Sequence, residues 1–198
     1  MVYQIEDNQL PNKTFGELHR VIKRGISSYS NKGSDLSVNL VNVRDIQHGQ
    51  IITNTVERVS IKSTAAVEKS RLEPGDLVIT VKGINFRAAV AGESQKGFVI
   101  SANLIALTLT DEVIPQYVAA YLNSPLGQRE IQARTAGATI QGLTTRALLE
   151  IPIPVIPMVQ QKLLAEYMAC QDEHAFLVKQ ELDLYASIKN AVVQQVVR

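Results

Sequence analysis

Ile151-Pro152-Ile153-Pro154-Val155-Ile156-Pro157, with the Met158-Val159-Gln160-Gln161 that follows, separates two kinds of sequence in this chain. Ile151, Ile153 and Val155 alternate with prolines that have no N–H to donate. The stretch therefore predicts an extended or edge segment, not a central strand or a helix. From Met158 to Arg198 there is no Pro or Gly. That is about 40 residues, or about 60 Å as one helix at 1.5 Å per residue. One apolar stripe runs Leu163, Tyr167, Cys170, His174, Leu177, Leu184, Ile188, Ala191. A neighbouring stripe runs Leu164, Met168, Ala175, Val178, Leu182, Tyr185, Val192, Val196. Spacings of three and four make a broad apolar face, and such a face must be covered by something. A helix of this length outreaches a domain of this size, so its far half is expected to pair with another helix.

Upstream, residues 1–157 read as mixed α and β. Leu36 to Leu40 alternates like a half-buried strand. Pro74-Gly75 is a turn signal leading into the β-rich run Asp76 to Val81. Phe98-Val99-Ile100 and Leu104 to Leu109 are further strands. Pro115 suits the first turn of a helix over 115–123. Ser124-Pro125 then reads as an N-cap and first helical residue, restarting a second helix towards Arg134. Gly137 to Gly142 breaks that pattern and predicts a loop. The fold class is α+β, with a mixed α/β domain at 1–157 and one long coiled-coil-like helix at 158–198.

The chain of 198 residues is 45% hydrophobic and 20% charged, a composition that builds a packed core and not a disordered chain. The acidic opening Met1-Val2-Tyr3-Gln4-Ile5-Glu6-Asp7 is unlike a signal peptide. No apolar run approaches the roughly 20 residues that span a bilayer. Cys170 stands alone, which precludes an internal disulfide and fits a reducing cytoplasm. The net charge of +1 is too small to announce a nucleic-acid binder.

The common catalytic signatures are missing. There is neither a Gly-x-x-x-x-Gly-Lys-Ser/Thr loop nor a Gly-x-Gly-x-x-Gly fingerprint to cradle phosphates. Asn123-Ser124-Pro125-Leu126 lacks the second Pro and the aromatic that an adenine methyltransferase needs to hold a flipped base; a cap between two helices suits it better. Asp76 with Lys82 lacks the second acid of a metal-dependent nuclease. His19, His48 and His174 are far apart, with no Cys or carboxylate at metal-ligand spacing. On the helix stripe, His174 reads as an interface or core histidine and Cys170 as a small packed side chain, not a nucleophile. Arg44 reads as scaffold, held at the surface by Asp45.

An ordered set of short motifs runs through the chain. Gly16-Glu17-Leu18, Val41-Asn42-Val43-Arg44-Asp45-Ile46 and Gly49-Gln50-Ile51 open it. Leu72-Glu73-Pro74-Gly75-Asp76-Leu77-Val78-Ile79, Lys82-Gly83 and Ser101-Ala102-Asn103-Leu104 follow. Then come Pro115-Gln116-Tyr117-Val118, Tyr121-Leu122-Asn123-Ser124 and Gly137-Ala138-Thr139-Ile140-Gln141-Gly142-Leu143. The Pro-rich stretch and Gln160-Gln161 close the set before the helix. Each piece is common by itself; together, in this order, they resemble the DNA-specificity (S) subunit of type I restriction-modification systems.

That resemblance implies a non-catalytic subunit that reads one half of a split site on double-stranded DNA. It implies two enzymatic partners: a methyltransferase (M) subunit that places a methyl group from S-adenosylmethionine on adenine N6, and a restriction (R) subunit that uses ATP and Mg. No cofactor is expected in this chain. The family usually carries the domain-plus-helix unit twice, with its helices antiparallel as a ruler; here the unit occurs once. The expectation is a half-length S subunit, or a shortened chain. As a half subunit it would form an antiparallel homodimer, with Leu177, Leu184, Ile188 and Val192 in the seam, reading an interrupted palindrome. The rivals are an α+β protein-interaction module dimerised by its coiled coil, and a stand-alone nuclease or modifying enzyme.

DNA readers need Lys, Arg, Ser or Thr for phosphates, and Arg, Asn or Gln for base edges. Three stretches expected to be loops offer them. The first holds Lys23, Arg24, Ser28, Tyr29, Asn31 and Lys32, with Tyr29 presenting a face for stacking. The second holds Lys82, Asn85 and Arg87. The third joins Arg134 to Thr139 and Gln141.

Overall fold

The computed structural model describes residues 11–27, 36–47, 49–61, 64–83, 86–135 and 142–196. In chain order the elements are β1 (Asn12–Thr14), α1 (Phe15–Leu18), β2 (His19–Arg24), β3 (Leu36–Val41), β4 (Ile46–Gln47), β5 (Gln50–Ile51), β6 (Glu57–Ile61), α2 (Thr64–Ser70), β7 (Leu77–Thr80) and β8 (Ala88–Val90). There follow β9 (Val99–Ile100), β10 (Leu104–Leu109), α3 (Pro115–Asn123), α4 (Pro125–Thr135), α5 (Thr145–Leu149), β11 (Pro152–Pro154) and α6 (Met158–Val196). The fold is α+β, as expected.

The central sheet has the order β2-β10-β7-β8, with every pairing antiparallel. Both of its faces are covered. Leu77, Ile79, Ile105 and Leu107 pack under α1, α3 and α5, while Val78, Leu104 and Ala106 pack towards Ile46, Ile51 and Leu72. Burial on both sides explains why β7, buried at every position, opens with the apolar run Leu77-Val78-Ile79 and does not alternate. A second sheet, β6-β3-β9, does alternate: Val38 and Leu40 point into a small core with Ile61 and Val99, and Ser37 faces out.

Several motif residues are backbone clamps. In the Pro-Gly-Asp turn, Gly75 has φ +90°, which a Cβ would disfavour. The buried Asp76 carboxylate accepts from Glu73 N at 2.8 Å, Thr108 Oγ1 at 2.6 Å and Lys23 Nζ at 2.5 Å. In the opening motif, Glu17 reaches back to Thr14 N at 2.8 Å, and those hydrogen bonds hold its carboxyl below the usual range. Asn123 grips Ala88 with both ends of its amide, donating to its O and accepting from its N at 2.9 Å each. This ties α3 to strand β8. Ser124 accepts from Gly127 N at 3.3 Å where α4 begins, so Asn-Ser-Pro is indeed a junction between helices.

Among the described residues the Pro-rich stretch pairs only with β1, antiparallel, in a two-stranded sheet, the edge segment its composition requires. Beyond it, α6 runs for 39 residues, about 58 Å at 1.5 Å per residue. Its seat is narrow. Gln161 and Ala165 are buried, and Met168, Asp172 and Phe176 are half-buried. From Leu177 to Val196 every residue is exposed.

Gln161 pins the helix. Its Nε2 donates to Glu112 O at 3.0 Å and Ile156 O at 2.8 Å, and its Oε1 accepts from Ile114 N at 2.8 Å. The two apolar stripes lie largely on the other side of the helix from this seat. Leu163, Tyr167, Leu177, Leu182 and Tyr185 are all more than half exposed. His174 and Cys170 are exposed too: Cys170 is not packed within this chain, and of the two readings of His174 the core one falls.

Candidate nucleic-acid interface

The first nominated stretch is not wholly a loop. Lys23 and Arg24 are the last two residues of β2, paired with Ala106 and Ile105 of β10. Lys23 alternates inward, and its side chain is only 14% exposed, with the ammonium on Asp76. It is committed to the sheet. Arg24 is exposed and makes no ion pair among the described residues. Ser28, Tyr29, Asn31 and Lys32 lie outside the described residues.

The second stretch diverges. Lys82 is exposed and bridged to Gly142, whereas Arg87 donates to Ile46 O at 3.1 Å and lines a separate recess with Gln47, Gln128 and Lys179. Asn85 lies outside the described residues, as do Thr139 and Gln141. Arg134 of the third stretch is tied down, with its guanidinium donating to Glu130 Oε2 at 2.7 Å and to Glu150 O at 3.1 Å.

An open cleft of about 580 Å³ gathers what remains, lined among others by Ser27, Asn42, Arg44, Lys82, Ser101 and Asn103. All three nominated stretches reach its neighbourhood. Ser27 lies within the first, Lys82 belongs to the second, and Gly142, paired with Lys82, closes the loop of the third. The wall is formed by the Ser101–Asn103 turn, whose backbone is bonded on several sides. Ser101 N donates to Val41 O, Ala102 N to Ile26 O, and Val81 N to Asn103 O, all within 2.9 Å. Gly25 permits the approach of β2's exit, since a Cβ there would lie 1.9 Å from Ser101 O.

Arg44 meets the expected acid, Nε to Asp45 Oδ1 at 3.8 Å, but Asp45 is fully buried, accepting from Thr55 Oγ1 at 2.6 Å and Asn42 N at 2.8 Å. Arg44 pairs more closely with Glu57 across the cleft lip at 2.5 Å, and that hydrogen bond pushes the guanidinium pKa further up. The cleft thus offers two cations and one acid, together with amides and hydroxyls, a set suited to phosphate and base edges. Sequence reasoning passed over Arg44 and Asn103 as cleft residues; their convergence from distant segments leaves no local pattern. Among the described residues no cluster of His, Cys, Asp and Glu could hold a metal, and no helix is long and apolar enough to cross a membrane.

No family model matches the chain. Among curated proteins it is similar to the type I restriction enzyme EcoKI specificity subunit of Escherichia coli (strain K12), with 25% identity over 130 residues covering 64% of this chain and 28% of that protein. It is likewise similar to the type I restriction enzyme StySPI specificity subunit of Salmonella potsdam, at 24% over 130 residues with the same coverage. The chain thus covers little more than a quarter of the length of these relatives.

Three solved structures share its fold. One is a chain of a type I restriction-modification system studied for its assembly and conformational transition, with TM-score 0.65, 14% identity, and 90% of this chain and 47% of that one covered. Another is the HsdS subunit from Thermoanaerobacter tengcongensis, with TM-score 0.64, 14% identity, and 96% and 48% covered. The third is the S subunit from M. genitalium, with TM-score 0.52, 18% identity, and 93% and 44% covered. The likeness read from the motifs is therefore met by curated relatives and by fold: the chain resembles type I specificity subunits across its mixed domain and long helix.

Proposed function

We infer that this chain is a non-catalytic, sequence-specific DNA-recognition subunit of a type I restriction-modification complex. Residues 1–157 form its target-recognition domain and residues 158–198 its spacer and dimerisation helix. The observation that carries the reading is a likeness of fold to S subunits over at least nine-tenths of the chain, joined to sequence similarity with two specificity subunits. The chain takes one half of a bipartite site, and the cleft around Lys82 meets the duplex. An M subunit with S-adenosylmethionine methylates adenine N6, and an R subunit with ATP and Mg completes the complex in the cytoplasm.

A second copy covers the outward face of α6, antiparallel, making a homodimer that reads an interrupted palindrome. Supporting this, Leu177, Leu184, Ile188 and Val192 are each at least half exposed, although burial of such side chains is worth about 1.5–3 kcal/mol apiece. The test is co-expression with a type I M subunit from the same source, masses by light scattering, and methylation sequencing of the host DNA. A complex with two copies of this chain, methylating a palindromic interrupted site, is expected. A chain that ignores both the M subunit and DNA would overturn the reading in favour of the protein-interaction module.

A further inference from the structure

We propose that Asn103 is a base-reading residue of this subunit, taking an adenine edge with its side-chain amide while Lys82 beside it takes phosphate. This rests on the DNA-recognition reading above and names the group that makes it specific.

The argument is one of commitment. Of the side chains lining the cleft that can offer paired hydrogen bonds to a base edge, Arg44 is engaged by Glu57, and Asn42 donates to Leu40 O at 3.4 Å. Asn103 is exposed, and its amide has no hydrogen bond among the described residues. Yet its backbone is held: its own carbonyl accepts from Val81 N, and Ser101 accepts from Leu104 N across the same turn. An uncommitted amide on an anchored turn is preorganised, which is what a readout group needs. The Val81 bond also brings Asn103 next to Lys82, so a cation and a bidentate donor–acceptor share one edge of the cleft. Asn presents the donor–acceptor pair that matches adenine N7 and N6 in the major groove.

A further observation points to a ligand here. Ser101 lines the same cleft, is only 6% exposed, and its hydroxyl has no hydrogen-bond partner among the described residues. Buried hydroxyls are normally bonded, so such a group marks a place completed by something from outside.

The test uses the full chain, alone and with its M subunit, selecting from a library of random-sequence duplexes. The unaltered protein, Asn103→Ala, Asn103→Asp and Lys82→Ala are compared. Asn103→Ala should lower the preference for adenine at one position of the half-site by at least about 5-fold, leaving other positions and the salt slope intact. Asn103→Asp should move that position away from adenine. Lys82→Ala should weaken all sequences evenly and reduce the salt slope by about one.

If both Asn103 variants select the parental sequence, the proposal fails while the recognition reading stands. If they lose all binding yet melt like the parent, Asn103 positions the DNA and does not read it, and the proposal again fails. If the unaltered protein selects no sequence in either form, the recognition reading fails and takes the proposal with it.

Discussion

Replacing Gln161 by Leu would test whether the motif before the helix is a clamp. Gln161 is 1% exposed and serves two carbonyls and one amide N–H, all at 2.8–3.0 Å. Leu preserves most of the volume and removes every one of these bonds. A buried polar group left unmet costs about 1–3 kcal/mol. The three groups are only partly buried, so the lower end applies, and the expected destabilisation is about 3 kcal/mol. The neighbour Gln160 is exposed and among the described residues no side-chain hydrogen bond ties it to the domain, so Gln160→Leu should stay within about 0.5 kcal/mol. Urea unfolding followed by circular dichroism reads both. A Gln161→Leu cost below about 1 kcal/mol, or one equal to that of Gln160→Leu, would refute the clamp. Because Ile114 N is the cap of α3 and Glu112 precedes it, the same change should loosen the angle at which α6 leaves the domain. Faster amide exchange over residues 112–116 would report that.

Lys23→Met should cost about 3–5 kcal/mol by stranding the buried Asp76 carboxylate, while the DNA affinity of the folded fraction and its salt slope stay unchanged; a variant of full stability but weakened DNA binding would return Lys23 to the list of contacts. Leu184→Glu with Ile188→Glu should give monomers by light scattering without changing the melting of the mixed domain, and an undiminished oligomer would refute the seam. Tyr117 donates to Pro154 O at 2.7 Å, and burial pushes its pKa up to about 12. The native state therefore holds this proton more tightly than the unfolded chain, whose tyrosine titrates near about 10. The resulting stability is full below pH ~10 and is lost as pH rises towards ~12, an effect of order 2 kcal/mol. Tyr117→Phe should cost about 1 kcal/mol at neutral pH and flatten that alkaline decline; an unchanged pH slope would exclude Tyr117 as its source.

Much of the fold was legible because its determinants are local. Proline alternation specifies an edge segment wherever it sits, and 41 residues without Pro or Gly carry one helix. Pro-Gly-Asp makes its turn from the φ of Gly75 and the reach of Asp76 back to Glu73. The motifs stood out as residue patterns, but the reason each residue is there became visible only in three dimensions: Asp76 meets Lys23 and Thr108, Asn123 meets Ala88, and Gln161 meets Ile114, across separations of 32 to 53 residues. A buried polar side chain must find partners, and the chain brings them from elsewhere.

The interface was legible only in outline. The basic, hydroxyl-rich stretches include Lys82, which lines the candidate cleft, but also Lys23 and Arg134, whose charges the fold spends internally. Asn103, a cleft-lining residue in a short turn, carries no such compositional signal. Composition cannot tell a cation that faces solvent from one that faces a buried acid.

From the sequence alone come the α+β class, the edge segment, the long helix with its apolar stripes, and the likeness to type I specificity subunits. Tertiary structure decided which polar residues are clamps and which are free, and left the outward face of α6 bare. The physical reason is separation along the chain. Backbone preference and periodicity act over a few residues, whereas commitment of a charge or an amide depends on what a distant segment places against it.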